Sequence, residues 1–104
     1  MPRREPKRYR VEVRPLAEEQ LTGILDWIEA SSPANALRVA ERIMRRIDSL
    51  ATFPHRFSRV RRPVKSGLEV RYFSESSLRV EYVVGADTVT IVYIEHAARE
   101  HRAS

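Results

Sequence analysis

Cysteine is absent from the chain, which excludes a disulfide framework, thiolate catalysis and any zinc site built on thiolates. A metal site would have to rest on histidines and carboxylates. Neither His55 nor His101 has a histidine or carboxylate at helical ligand spacing, so no metal and no cofactor are expected. Long apolar runs are missing too. No segment approaches the roughly 20 apolar residues that span a bilayer, and the opening Met1-Pro2-Arg3-Arg4-Glu5-Pro6-Lys7-Arg8 lacks the apolar centre of a signal peptide. A cytoplasmic protein without a membrane partner is the expectation. Repeats and low-complexity stretches are likewise missing.

What is there is basic and well patterned. The length of 104 residues suits one compact domain, divided here into a flexible N-terminal segment 1–7, a single domain 8–100 and a tail 101–104. Nineteen Lys and Arg against 14 Asp and Glu leave a formal net charge of +5. Such a chain seeks acidic partners: nucleic acid, an acidic protein segment or a phosphate-rich substrate. Charge alone does not choose among them.

Periodicity supplies the order of elements. Tyr9, Val11 and Val13 alternate with Arg10, Glu12 and Arg14, which reads as a strand with one face buried. Pro15 opens a helix whose first turn carries Glu18 and Glu19 against the positive dipole end. Ala17, Leu21, Ile24, Leu25 and Ile28 form its apolar stripe, with Trp27 beside that stripe as either an edge cover of the helical hairpin or a docking anchor. Ser32 is the expected N-cap of a second helix beginning at Pro33. There Leu37, Ala40, Ile43, Met44, Ile47 and Leu50 are expected inward, while Arg38, Glu41, Arg42, Arg45, Arg46 and Asp48 face water. Phe53-Pro54 ends the helical part. Leu68–Phe73, Leu78–Val84 and Thr88–Ile94 then read as three strands of an antiparallel meander. The last of these is apolar on both faces, which places it inside the sheet. The fold class is α+β in the order β-α-α-β-β-β, a helical hairpin packed on one face of a small, mostly antiparallel four-stranded sheet.

That order, together with Tyr9-Arg10-Val11 before Pro15-Leu16-Ala17, Leu50 spaced from Phe53-Pro54, Val70-Arg71, Leu78-Arg79-Val80-Glu81-Tyr82 and Ile91-Val92-Tyr93-Ile94-Glu95-His96-Ala97-Ala98-Arg99, resembles the ParE/RelE superfamily of bacterial type II toxins over nearly the whole chain. The resemblance implies a RelE/ParE-like fold, a plasmid-stabilization or related toxin-antitoxin role, and a hetero-oligomer with a cognate ParD-like antitoxin. Its two branches imply different targets. Proteins similar to ParE act on DNA gyrase without established chemistry of their own, whereas those similar to RelE cleave mRNA on the ribosome. RNA-cleaving relatives often carry a tyrosine after the position of His96 and extra lysines on the sheet; here Ala97 follows, and Lys7 and Lys65 are the only lysines. The Ile94-x-His96-x-x-Arg99 ending resembles ParE more closely. A ParE-like gyrase inhibitor is therefore the first expectation, a RelE-like ribosome-dependent endoribonuclease the second, and a non-toxic antitoxin-binding relative the third.

Candidate residues follow from chemistry. Metal-free RNA cleavage needs cations on the scissile phosphate and groups to move protons. With Phe73 paired to Ser77 across a tight turn, Arg71 stands opposite Arg79 and Glu69 opposite Glu81 on one outward face. This is either a phosphate clamp or a set of arginines neutralised by their glutamates. His96 is the remaining candidate for proton transfer, because the unperturbed pKa of a histidine lies near neutrality, or a strand-end hydrogen-bonding residue. Arg71, Arg79, Glu81 and His96 form the catalytic set if the protein is a nuclease; Arg71, Arg79, His96 and Arg99 are the target-binding candidates. The stretch from Arg56 to Arg71 adds Arg59, Arg61, Arg62 and Lys65 around Phe57, either a solvated connector or a surface for an acidic chain or phosphate backbone. By resemblance, the antitoxin contacts are Leu25, Trp27, Ile28, Leu37, Arg59, Arg61 and Arg62.

Overall fold

A computed structural model describes residues 7–98. Strand β1 (Arg10–Val13) leads into α1 (Pro15–Ser31) and α2 (Pro33–Ser49). A 3₁₀ turn at Pro54–Arg56 precedes β2 (Ser58–Arg59), β3 (Val70–Glu75), β4 (Leu78–Val84) and β5 (Thr88–His96). The sheet has five strands in the order β1-β5-β4-β3-β2, one more than expected. The addition is β2, two residues from the arginine-rich stretch that pair Ser58 with Tyr72 and Arg59 with Arg71; so short a strand leaves no periodicity to read. β1 runs parallel to β5, and every other pairing is antiparallel. The helical hairpin is the crossover that a parallel pair requires.

Ser32 ends one helix and starts the next. Its backbone N–H donates to Ile28 O at 2.9 Å, and its Oγ accepts from Asn35 N–H at 3.2 Å. A single residue that satisfies backbone groups from both helix ends makes a tight hairpin without glycine. From α1, Ala17, Ile24 and Ile28 reach the core; from α2, Ala36, Val39, Ile43 and Ile47 do so. Leu37 and Met44 were expected inward and instead are 63% and 45% exposed. Both choices satisfy helical spacing. The helix turns the smaller Ala36 and Val39 toward its neighbours, which permits closer packing, and leaves the longer side chains on its outer shoulder.

Against the helices lies the inner face of the sheet, built from Phe73, Leu78, Val80, Tyr82, Val84, Val89, Ile91 and Ile94. Tyr82, fully buried, donates its hydroxyl to Pro54 O at 2.6 Å. Burial pushes that phenol up to about 12. Strict alternation fails in β5, where Glu81 pairs with Tyr93 but the adjacent Tyr82 pairs with Ile91. Val92 is the extra residue of a β-bulge, so Ile94 joins Val89 and Ile91 on the inner face instead of opposing them. Beyond the end of β1, Gln20 Oε1 from α1 accepts the Ile94 N–H at 2.8 Å.

Candidate functional site

The β3–β4 hairpin decides which cations can act together. Glu75 pairs with Leu78 around Ser76 and Ser77, whose φ values of 53° and 66° make a two-residue left-handed turn. Arg71 therefore stands opposite Tyr82, and Arg79 opposite Ser74. The expected Phe73–Ser77 register is overturned, and its consequence with it. Displacement by an odd number of residues exchanges faces, so Arg71 lies on the helix side and Arg79 on the outer side. They cannot jointly hold one phosphate.

Each arginine is instead held by its own carboxylate. On the outer face, Glu81 in the central strand is 5% exposed. Arg62 grips it with two hydrogen bonds, of 2.9 and 2.6 Å, and Arg79 Nε adds a third at 3.1 Å. The Arg79 guanidinium also lies 3.8 Å from the centre of the Tyr72 ring. Hydrogen bonding from Arg62, reinforced by Arg79, holds the Glu81 carboxyl below the usual carboxylate range despite burial, and the same bond raises Arg62. A carboxylate so stabilised is a poor proton carrier near neutral pH. On the inner face, Arg71 donates to Glu69 at 2.5 Å and to Phe57 O at 2.5 Å. His55 and Arg59 approach Glu69 at 3.5 and 3.9 Å. Hydrogen bonding from Arg71 is the main cause that lowers Glu69.

His96 ends β5 opposite Leu78. Its ring meets Trp27 edge to face, centroids 5.2 Å apart, and Nδ1 accepts the Ala98 N–H at 3.2 Å. Trp27 is half-buried against the core, thus covering the end of the sheet while keeping one side at the surface. Arg99 and His101 lie outside the described residues. Among those described, no group of three or more His, Asp or Glu is placed to hold a metal ion, and no helix is long and apolar enough to cross a membrane.

The remaining surface candidates split between two sides. Leu25 is half-buried and packs on the core, Ile28 is core at 8% exposure and offers a partner little area, and Leu37 is open to solvent. These belong to the helical layer. The loop after β2 crosses the opposite, outer face of the sheet, where it forms a trench of about 490 Å³. Val70, Val83 and Val92 give the trench an apolar floor, Val64 and Leu68 its lip, and Arg14, Arg62 and Lys65 its cations, without a carboxylate in the lining. Arg61 is exposed on that loop and makes no ion pair with a described residue. Phe57 is not a free stacking platform: it packs on Phe73 with centroids 5.3 Å apart. Residues that sequence reasoning missed are the trench floor and the role of Arg62 as the clamp on Glu81. No local pattern joins positions 19 apart across a loop.

Among known families, the model for the ParE toxin of type II toxin-antitoxin system, parDE, matches residues 11–101. No curated protein matches the chain.

Proposed function

The chain belongs to the ParE toxin family of type II toxin-antitoxin systems, and from that premise we propose that it is a toxin that inhibits DNA gyrase through a protein interface when free and is neutralised by a ParD-like antitoxin. The observation that carries the reading beyond the family is the division of the sheet cations. Arg71 and Arg79, the pair a ribonuclease would set on one phosphate, lie on opposite faces, each tied to a glutamate. Electrostatic catalysis needs donors aimed together at the developing charge; these point apart.

Antitoxin binding is assigned to the trench on the outer sheet face. An extended or helical segment with aliphatic anchors and carboxylates matches an apolar floor edged by Arg14, Lys65 and the exposed Arg61. Leu37 and Trp27 sit on the helical side, so a segment that also reached them would wrap around the sheet edge. Arg61→Glu with Lys65→Glu, leaving the Arg62–Glu81 clamp intact, should weaken antitoxin affinity at least tenfold, measured by calorimetric titration. Unchanged affinity removes the trench from the interface.

The deciding experiment is plasmid supercoiling by host gyrase with ATP and increasing protein, scoring lost supercoiling and trapped cleaved plasmid. Trapped complexes that disappear on adding antitoxin support the proposal. Normal supercoiling by active gyrase rejects that target, and ribosome-dependent mRNA cleavage, assayed with His96→Ala, becomes the leading reading.

A further inference from the structure

The far half of α2 carries a second basic surface, apart from the Arg62–Glu81 clamp and the trench. Arg42, Arg45, Arg46 and Ser49 project from one side of the helix at helical spacing, and together with Arg56 and Glu75 they line a groove of about 350 Å³. The cations in it are not equivalent. Arg46 faces Glu75 at 3.5 Å. Arg56 is positioned but uncompensated: its Nη2 donates to Ser49 Oγ at 2.7 Å, and its guanidinium lies 4.7 Å from the centre of the Phe57 ring. Arg42 and Arg45 are exposed and make no ion pair with any described residue, although Glu41 and Asp48 are on the same helix. Four guanidinium groups thus meet one carboxylate, which already has its partner.

We propose that this groove binds the phosphate backbone of a double-stranded nucleic acid. Guanidinium and hydroxyl donors are the usual backbone contacts, and an arginine fork matches two phosphate oxygens at once. An acidic peptide is the poorer fit, because peptide docking draws on buried apolar anchors and this lining has arginines, a serine and a glutamate only. The apolar floor is on the other side of the molecule, in the trench. Geometry along the helix agrees. Arg42 to Ser49, the ends of the helical lining, span about 10 Å at roughly 1.5 Å per residue, close to the axial length of about three nucleotides of one strand. The assignment goes beyond the gyrase reading and does not depend on it.

The test uses the full chain and a fluorescently labelled 24-base-pair DNA duplex, with affinity measured across a salt series. Each phosphate contact contributes a slope of about −0.9 in log K against log salt. Arg42→Gln/Arg45→Gln/Arg56→Gln should make the slope shallower by about 2.7 and lower affinity at least tenfold at 0.1 M salt. A variant with the same loss of charge elsewhere, Lys7→Gln/Arg8→Gln/Arg10→Gln, should change the slope by less than about 1. If the triple groove variant does not fold, Arg42→Gln/Arg45→Gln carries the test, with an expected slope change of about 1.8. Equal losses from the groove and control variants would show a general effect of net charge and overturn the site. Tighter binding of a labelled 12-residue polyglutamate than of the duplex at 0.15 M salt would also overturn it, reassigning the groove to an acidic peptide.

Discussion

Two arginine clusters of similar composition behave in opposite ways. On the outer sheet face, Arg62 and Arg79 converge on a carboxylate that is almost wholly buried. Beside α2, Arg42 and Arg45 of the helix and Arg56 of the 3₁₀ turn line one groove whose only lining acid is Glu75, occupied by Arg46. The first cluster spends its charge inside the molecule and pins a loop to the sheet. The second keeps its charge for something outside. A net charge of +5 therefore says little about where an acidic partner would bind; the accessible part of it is set by which arginines have a carboxylate within reach.

The sharpest way to break that contrast is to strip Glu81 of its partners. Arg62→Ala/Arg79→Ala leaves a buried carboxylate unpaired and should cost about 3 kcal/mol at pH 7, measured by urea unfolding. Glu81→Gln should cost less, about 1 kcal/mol, because Arg62, with a side chain 54% exposed, can turn into water. If the two costs are equal, the clamp is not organised around burial of Glu81.

Next in size is Tyr82→Phe, which links the two clusters. The buried hydroxyl satisfies the Pro54 carbonyl at the head of the turn carrying Arg56, so its loss should cost about 1–2 kcal/mol. Duplex binding should weaken with it, while the Arg62–Glu81 bonds are untouched. Alkaline titration gives a second signature. The folded-state value is raised to about 12, so the stability from this group is fully present below the ordinary tyrosine value of about 10. It is lost as pH rises from there through the folded value. Tyr82→Phe should lack that alkaline loss; an unchanged pH profile would mean that the loss belongs to another group.

A smaller effect is expected in acid. Glu81 and Glu69 are both held below the usual carboxylate range in the folded protein. Their contribution is complete above about pH 4.3, and is lost as pH falls from there through the lowered folded-state values. Glu81→Gln should flatten the acid limb of the stability curve; substitution of the groove arginines should leave its shape unchanged.

How much of this was legible beforehand varies with the physical cause. Helix boundaries were, because Pro15, Ser32 and Pro33 act locally on the backbone. The β3, β4 and β5 strands were legible from β-branched and aromatic density. Hairpin register was not. Two-residue turns with positive φ are normally marked by Asn-Gly or Asp-Gly, and Ser76-Ser77 gives no such mark, so the three-residue reading of that turn exchanged the faces of Arg71 and Arg79. The Val92 bulge was equally silent, since Val92, Tyr93 and Ile94 all suit either face. Of the candidate site, the arginine-rich loop was visible as composition, but the neutralisation of Arg62 by Glu81 is a tertiary event. The groove arginines were read only as the wet side of α2, which is correct for their exposure and silent about the missing carboxylates.

The smallest expected effect tests the second cluster in the currency of stability. Arg42 stands three or four residues from each of Arg38, Arg45 and Arg46, a spacing at which like charges on a helix cost about 0.2–0.5 kcal/mol per pair. Arg42 and Arg45 have no ion pair with a described residue to offset that repulsion. Arg42→Gln/Arg45→Gln removes three such repulsions and also the unclosed attractions of Arg45 to Glu41 and Asp48, four and three residues away, so the net should be a gain of a few tenths of a kcal/mol, about 0.5 at most, opposite in sign to the loss of the sheet clamp. Thermal melts at low salt should show the gain, and it should shrink as salt screens the repulsion over a shorter distance. A loss of about 1 kcal/mol instead would mean that these arginines are held by intramolecular partners, and that their charge is no more available to a ligand than that of Arg62. A gain that fades with salt means that the fold tolerates a small, persistent repulsion to keep cations facing outward, as a surface selected for binding an external anion would.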